Sequence, residues 1–203
     1  MNMQTAPENH SSQQRQGRMI FLMMTFFFVL PILVVIAMYK LNWKPTGQSY
    51  GELISPPKLI QNTGQLKTSE GKSVPDLWID KWSMVYVTAH CEQACLDRLH
   101  DMRQLHASLY KDMMRAQRVL ITAEKDVSAI KSQYPDMVLI NQPKNEIEQF
   151  SVQFNIGNED SNTANRIYFV DPLGHVMISY ASSIPAKNIR KDLVRLLKYS
   201  WAG

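Results

Sequence analysis

The hydrophobic positions of the chain begin with one long apolar run. Residues 19–39, read as MIFLMMTFFFVLPILVVIAMY, contain no charged side chain. A helix of this length rises about 30 Å, which matches the hydrocarbon thickness of a bilayer. A cleaved secretory signal has a shorter apolar stretch followed by a small-residue cleavage site, and this run fits neither feature. The pattern therefore predicts an uncleaved transmembrane anchor over residues 19–39.

Polar segments flank this run on both sides. Residues 1–18 are rich in Gln and Ser, a composition typical of disorder. Residues 40–59 contain three prolines and two glycines, which is typical of an extended tether. We therefore expect a disordered tail over 1–18, a tether over 40–59 and a folded domain over 60–203.

The folded part alternates between strand and helix patterns. A run of aromatic and β-branched residues at 82–89 predicts a buried strand, and leucines and methionines spaced three or four apart predict an amphipathic helix from 92 to 117. The turn Asp171-Pro-Leu-Gly174 predicts a β-hairpin. The other predicted elements are a strand at 118–123, a short helix at 125–133, an extended piece at 137–140, a helix at 144–154, a loop at 157–165, hairpin strands at 166–170 and 175–180, and a final helix that begins at Pro185.

The order of these elements predicts the fold class. Strand, helix, strand, helix, hairpin and helix in succession is the order of a thioredoxin-like domain, an α/β fold whose mixed central sheet carries helices on both faces. A length of 203 residues fits one such domain with a single N-terminal transmembrane helix.

The charge of the chain argues against a nucleic-acid partner and leaves docking on anionic lipid or on an acidic partner open. The net charge of +4 is small beside the clustered charge of nucleic-acid-binding proteins, so we expect no nucleic-acid partner. The last predicted helix carries its cations on the face opposite its apolar stripe. This face is either solvated or docks on anionic lipid or an acidic partner; its cations are Lys187, Lys191, Arg195 and Lys198.

Charge does not fix the orientation of the anchor, because Arg15 and Arg18 precede it and Lys40, Lys44 and Lys58 follow it. A closely spaced cysteine pair in a tethered domain fits an oxidising compartment. We therefore expect a cytoplasmic N-terminus, with residues 40–203 on the other side of the membrane.

Cys91 and Cys95 are the only cysteines, and they lie where the first strand meets its helix. Four residues correspond to one helical turn, so both sulfurs project on one side, with α-carbons near the upper end of the range for a disulfide. The pair can oxidise or chelate. A helix N-terminus favours the Cys91 thiolate, whereas Glu92 disfavours further negative charge and favours a bound cation. Two thiolates suit Cu(I), and His90 can add a third ligand or remain a bystander.

A structural role for the same pair is the alternative. The cysteines can form a stapling disulfide or remain as buried thiols. Closing so short a loop contributes only about 2 kcal/mol of chain entropy, which is among the smallest returns of a disulfide.

The residues around this pair resemble the SCO/SenC family of copper chaperones for cytochrome c oxidase assembly. Ala89-His90-Cys91-Glu92-Gln93-Ala94-Cys95-Leu96 is similar to that family's T-H-C-x-x-x-C-P pattern. Val119-Leu-Ile-Thr122 with Asp126 is similar to that family's strand and following acidic loop, and Ile167-Tyr-Phe-Val-Asp-Pro-Leu-Gly174 is similar to its hairpin. The resemblance covers residues 74–200.

The resemblance implies a site, a cofactor and partners. Cys91 and Cys95 would carry thiol–disulfide exchange, and with His90 they would bind Cu(I) transiently. The implied partners are the membrane, a respiratory oxidase subunit that carries a copper site, and other copper chaperones. The implied location is the bacterial inner membrane, rather than the mitochondrial one, with the C-terminal domain in the periplasm.

Two positions depart from the family pattern. Leu96 replaces the proline, and Thr163 stands where the family carries its copper-binding histidine. His175 lies beyond a whole strand, nearly 20 Å away at about 3.3 Å per residue, so it does not replace that histidine. We therefore keep three hypotheses: a thiol oxidoreductase or metallochaperone for the oxidase, a scaffold subunit without redox or metal chemistry, and a general disulfide-exchange protein.

Overall fold

The computed structural model describes residues 10–41 and 49–200. The chain divides into two compact units, Met1–Gln48 and Ser49–Gly203. The first unit contains helix α1, His10–Lys40, of which Arg15–Lys40 is long and apolar enough, by length and composition, to cross a membrane. Residues 10–18, which we expected to be disordered, instead extend this helix, because Gln and Arg favour helix and no proline interrupts them. Residues 1–9 of the predicted tail lie outside the described residues.

The second unit is built on a six-stranded mixed sheet. Its strands are β1 (Glu52–Leu59), β2 (Trp82–Thr88), β3 (Ala116–Thr122), β4 (Val138–Asn141), β5 (Ile167–Val170) and β6 (His175–Tyr180). They lie in the order β1-β6-β5-β2-β3-β4, with β2, β3 and β4 parallel and the other pairs antiparallel. The helices of this unit are α2 (Gln93–Ala107), α3 (Ser128–Gln133), α4 (Lys144–Ser151) and α5 (Ala186–Tyr199).

Helices cover both faces of the sheet. Alternate residues of the central strand β2 point to opposite faces. Met84 and Tyr86 pack in the core shared with α2, α3 and α5, whereas Val85 and Val87 pack in the core shared with α4. The predicted mixed sheet with helices on both faces is confirmed.

Strand β1 lies in the segment that we predicted to be tether. It pairs antiparallel with β6, with a register shift between Leu53 and Lys58. The two prolines in ELISPPKL argued against a strand, because proline lacks the N–H that donates to the neighbouring strand. An edge strand tolerates this loss, and β1 is the edge of the sheet. The predicted tether of 40–59 is thus too long, and residues 42–48 of it lie outside the described residues.

Helix α2 is shorter than the predicted 92–117. It ends at Ala107, and a 3-10 turn over Tyr110–Arg115 leads into β3. The Ser108 hydroxyl donates to the Leu105 carbonyl (2.7 Å), and Tyr110 adopts a positive φ of 49°. The chain must reverse here to bring Ala116 beside Trp82 at the start of the parallel pair β2–β3. The other predicted elements are present, with boundaries shifted by three residues or fewer.

Candidate functional site

The cysteine pair lies at the edge of the sheet where the parallel strands β2 and β3 end. Thr88, the last residue of β2, pairs with Thr122, the last residue of β3. The Thr88 hydroxyl donates to the carbonyl of His90 (2.7 Å), which fixes the turn that leads into α2. The carboxyl ends of parallel strands are where α/β folds place their functional groups.

Cys91 and Cys95 are joined by a disulfide, with their α-carbons 5.1 Å apart. We expected a pair on one helical turn at the upper end of the permitted range. Instead α2 begins at Gln93, so Cys91 precedes the helix and its backbone approaches Cys95 more closely. Cys91 is half-buried, whereas Cys95 is only 3% exposed and packs in the core. Cys91 is therefore the sulfur that a partner reaches first.

A carboxylate that the sequence reasoning missed lies beside the pair. The backbone N–H of Cys91 donates to Glu124 Oε2 (3.0 Å), and His90 Nδ1 is 3.8 Å from the same oxygen. Asn141 holds this residue by donating to the Glu124 carbonyl (2.7 Å). The sequence contained a signal for this, because Glu124 follows β3 by two residues and parallel neighbours end at one edge. The sequence suggests Glu92 as the neighbouring acid, but Glu92 is the N-cap residue of α2, is exposed and makes no capping hydrogen bond with its side chain.

A buried cation lies on the same helical face as Cys95. Arg98 comes three residues later and is 5% exposed; its Nη1 donates to Asp101 Oδ2 (3.2 Å). Its Nη2 is buried without a hydrogen-bond partner among the described residues. Residues three apart on a helix are neighbours, with Cβ atoms about 5–6 Å apart. The Cβ atoms of Arg98 and Cys95 are therefore neighbours on α2, and the guanidinium of Arg98 pairs with Asp101.

Tyr86 interacts both with Arg98 and with the loop that precedes β5. Burial raises the pKa of Tyr86, and the positive charge of Arg98 partly opposes that rise. The Tyr86 hydroxyl donates to Asn165 Oδ1 (3.0 Å). Because Ile167 pairs with Tyr86, the loop before β5 returns to the sheet edge that carries the cysteines.

Thr163 and His175 lie where the sequence predicts them. Thr163 lies exposed in this loop, and its hydroxyl donates to the Asp160 carbonyl (3.3 Å). His175 pairs with Leu59 at the start of β6, at the end of the strands opposite to the cysteines. Its Nδ1 lies 3.2 Å from Asp171 Oδ2. His175 is therefore distant from the cysteines.

The chemistry open to this arrangement depends on the oxidation state of the pair. A disulfide sulfur is not a thiolate, so the pair must be reduced before it binds a metal ion. Within residues 10–41 and 49–200, no group of three or more His, Cys, Asp and Glu side chains is arranged to hold a metal. Two thiolates next to His90 and Glu124 fit Cu(I) by softness, without the third ligand at position 163.

A family model matches most of the second unit. The model described as "Transmembrane-like, thioredoxin-like, C-terminal domain" matches residues 82–200, more than half of the chain. The predicted thioredoxin-like class is thereby confirmed. No curated protein matches the sequence.

Solved structures of SCO proteins share the fold. Copper-bound ScoI of Arabidopsis thaliana is 16% identical, with a TM-score of 0.55, and the alignment covers 75% of this chain and 100% of that one. Yeast Sco1 is 17% identical, with a TM-score of 0.56 and coverage of 74% and 97%. A SCO1/SenC family lipoprotein from Bacillus anthracis is 19% identical, with a TM-score of 0.55 and coverage of 70% and 98%. The resemblance expected from the motifs is confirmed at the level of the fold.

Proposed function

The chain belongs to the transmembrane-like, thioredoxin-like, C-terminal domain family, and from this premise we propose that it assists assembly of the copper centre of cytochrome c oxidase. It does so through Cys91 and Cys95, by thiol–disulfide exchange or by transient transfer of Cu(I). Helix α1 anchors it in the bacterial inner membrane, with the thioredoxin-like domain in the periplasm. The SCO-like fold and the apolar helix support this proposal.

One observation carries the proposal: a half-buried Cys91 is bonded to a buried Cys95 at the junction of a central strand and its helix. The short loop that this disulfide closes contributes only about 2 kcal/mol to stability. An accessible disulfide with little structural value is the kind that takes part in exchange.

The exchange reaction follows from the different exposure of the two sulfurs. In the reduced protein the Cys91 thiolate attacks one sulfur of a client disulfide and releases the first client thiolate. The Cys95 thiolate then attacks Cys91, which releases the second client thiolate and closes the Cys91–Cys95 bond. Two electrons pass to the client, and a dithiol reductant restores the pair.

The same reduced pair would take up Cu(I) as cargo. The ligands are the sulfurs of Cys91 and Cys95, assisted by His90, whose side chain is 61% exposed and free to turn toward the metal. The two thiolates already exceed the single positive charge of Cu(I), so Glu124 adds further negative charge beside the site and favours release of the metal. With Thr163 in place of the family's histidine, the site holds copper through two sulfurs and releases it readily.

The partners follow from the cargo. We propose that the client is an oxidase subunit with a copper site, or another copper chaperone that exchanges Cu(I) with this chain. Among the fold neighbours, Arabidopsis ScoI and yeast Sco1 are copper-bound, and BsSco is a member of the Sco family of cytochrome c oxidase assembly proteins, which supports this class of partner.

A thiol-trapping experiment on the full chain tests the exchange step. Cys95→Ser removes the resolving sulfur, so the mixed disulfide between Cys91 and the client should accumulate on a non-reducing gel. Cys91→Ser is the matched control and should trap at least tenfold less, because Cys95 is buried. Equal trapping by both variants would contradict the assigned roles.

Metal binding tests the second activity. The reduced protein should take up one Cu(I) with sulfur coordination by X-ray absorption, and should bind Cu(II) poorly. Strong Cu(II) binding that depends on histidine would contradict a two-sulfur site.

A scaffold function is the second candidate, and the absence of an imidazole at Thr163 favours it. In that case the domain would hold an oxidase subunit by its surface alone. The copper content of the oxidase distinguishes the two functions. It is measured in cells whose only copy of the protein is Cys91→Ser or Cys95→Ser. Full copper loading with both variants supports the scaffold, and loss with both supports the redox or metal function. Reduction of insulin by the dithiol protein would indicate general disulfide exchange.

A further inference from the structure

All the charged side chains on the exposed face of α5 are basic. The helix contains one acidic residue, Asp192, which is 4% exposed and faces inward. Its carboxylate accepts hydrogen bonds from the backbone of Tyr50 (2.7 Å) and Gly51 (3.3 Å) and from the Tyr180 hydroxyl (3.1 Å). The outer face of the helix carries the cations Lys187, Arg190, Lys191, Arg195 and Lys198.

The turn that follows α2 lies alongside this helix. Arg190 Nε donates to the Ser108 hydroxyl (3.0 Å), and Arg115 donates to the carbonyls of Leu197 (2.8 Å) and Ser200 (3.0 Å). These bonds join residues 108–115 to α5 and to Ser200, which follows it. We define the basic surface as the exposed side chains of α5 together with those of Tyr110, Lys111 and Met114.

Large apolar side chains are exposed among these cations. Tyr110 is 79% exposed, Met114 73% and Tyr199 75%, and Val194 is 40% exposed. Aromatic and apolar side chains combined with lysine and arginine are typical of segments that lie in the headgroup region of a membrane. A face that is only solvated gains nothing from exposing them.

The connection between α1 and the second unit is short. Helix α1 ends at Lys40, and the hydrogen bonds from Tyr50 and Gly51 to Asp192 fix the start of the second unit to the middle of α5. The eight residues 41–48 reach at most about 30 Å when fully extended. Headgroups are therefore the partner that the basic surface meets at the highest local concentration.

From these observations we propose that the basic surface docks on anionic lipid headgroups. Each Lys or Arg near an anionic bilayer contributes about 1 kcal/mol, a factor of about five in affinity. Tyr110, Met114 and Tyr199 enter the interface between the headgroups. This inference rests on the anchor in the proposed function but not on its redox or copper chemistry.

The C-terminal end of the basic surface lies far from the cysteine pair. The indole of Trp82, at the start of β2, donates to Ser200 beyond the C-terminus of α5 (3.2 Å). Strand β2 runs from there to Thr88, seven residues or about 20 Å, and the cysteines follow. The end of α5 and residues 108–115 therefore lie about 20 Å along the strand from the turn that carries Cys91.

Fluorescence of the full chain in lipid nanodiscs tests the proposal. Met114→Cys carries an environment-sensitive dye, and the Cys91–Cys95 disulfide is kept oxidised so that only the new thiol reacts. In discs that contain phosphatidylglycerol the emission should shift to the blue and quenching by aqueous iodide should fall, relative to discs of phosphatidylcholine alone. Glu148→Cys, an exposed position on α4 at the other face of the sheet, is the control and should respond equally in both discs.

A charge-removal series identifies the surface. Combining Lys111→Gln, Lys187→Gln and Lys198→Gln should reduce the ratio of docked to undocked domain about a hundredfold. Lys72→Gln, Lys125→Gln and Lys144→Gln together remove the same charge from exposed sites elsewhere and should leave the ratio unchanged.

Three results would overturn the proposal. Equal emission from the Met114→Cys dye in both lipids would exclude lipid docking. Equal effects of the two triple variants would show that net charge, not this surface, is responsible. A response that appears only when an acidic peptide is added would assign the surface to a protein partner instead.

Discussion

Two charged residues of opposite sign lie outside the cysteine motif: one contacts Cys91, and the other lies one helical turn after Cys95. Glu124 accepts the N–H of Cys91, and buried Arg98 follows Cys95 on α2. The reduced pair carries more negative charge than the disulfide, so the two residues act on its stability in opposite directions.

Arg98→Met should make the pair harder to reduce. Loss of the buried cation destabilises the reduced form, so the midpoint potential should fall by about 30 mV, the equivalent of 1.4 kcal/mol for a two-electron couple. Glutathione-buffered titration of the full chain measures this value. Arg103→Met, an exposed position on the same helix, is the matched control. If both variants keep the original potential, Arg98 has only a structural role.

Glu124→Gln should have the opposite effect. The amide retains an oxygen that can accept the Cys91 N–H but removes the negative charge, so the midpoint potential should rise by about 10–30 mV. Glu148→Gln removes a carboxylate on α4 and should leave the potential unchanged. A fall in potential for Glu124→Gln would mean that the hydrogen bond matters more than the charge.

Among the elements, α5 is joined to the start of the domain by one buried carboxylate. Asp192 Oδ2 accepts from Ser49, Tyr50 and Gly51 and from the hydroxyl of Tyr180. Burial raises the pKa of Tyr180, and the charge of Asp192 and their hydrogen bond raise it further, so the phenol remains a donor throughout the physiological range.

Asp192→Asn should loosen this junction. Hydrogen bonds to a neutral oxygen are about half as strong as those to a carboxylate, so the free energy of unfolding should fall by about 2–3 kcal/mol. Urea denaturation measures the loss, and the amides of Tyr50 and Gly51 should exchange hydrogen faster. Asp97→Asn, on the exposed face of α2, should change stability by less than about 0.5 kcal/mol. Unchanged exchange at Gly51 in Asp192→Asn would contradict the assigned role.

Elements with an unbroken pattern could be predicted from the sequence, and those shaped by tertiary contacts could not. The run at 82–88 reads as a buried strand because all of its residues are buried and its apolar ones pack into one or the other of the two cores. Strand β1 was missed because its prolines fit a ladder only at a sheet edge, which the sequence does not specify. The predicted helix continued past Ala107 because Leu109 and Met113 kept its spacing, although the parallel pairing of β2 and β3 requires a reversal there.

The candidate site shows the same division. Cys91, Cys95 and His90 are adjacent in the sequence and could be identified from it. Glu124 is 33 residues from Cys91 and reaches it only because β2 and β3 are parallel and in register. The burial of Arg98 could not be predicted, because arginine on a helix is usually exposed.

For the molecule as a whole, acid stability depends in part on an ion pair near the start of β3. Arg118 is 1% exposed and pairs with Asp136, and its Nε and Nη1 have no hydrogen-bond partner among the described residues. The hydrogen bond from Arg118 lowers the pKa of Asp136 from its ordinary value of 3.8, although burial partly opposes this. A lowered pKa in the folded state stabilises the protein above pH 3.8, and this contribution is lost as the pH falls through the lowered pKa.

Asp136→Asn should remove that part of the acid dependence. At neutral pH it leaves the Arg118 charge buried with a weaker partner, and because Asp136 is 61% exposed the loss should be limited to about 1–3 kcal/mol. Urea denaturation at pH values from neutral to below 3.8 gives the difference from the original chain, which should shrink as the pH falls. A constant difference across this range would show that the pair does not titrate as described. Asp76→Asn, at an exposed carboxylate, is the control.

The central claim is that the Cys91–Cys95 bond is a working redox couple and not a structural staple, and the midpoint potential of the full chain tests it most directly. Structural disulfides have potentials below about −300 mV, whereas labile and catalytic ones are more positive. We predict a value above −300 mV, with the reduced protein remaining folded because so short a loop contributes only about 2 kcal/mol. A potential below about −300 mV, or unfolding on reduction, would contradict the account and leave only the scaffold function.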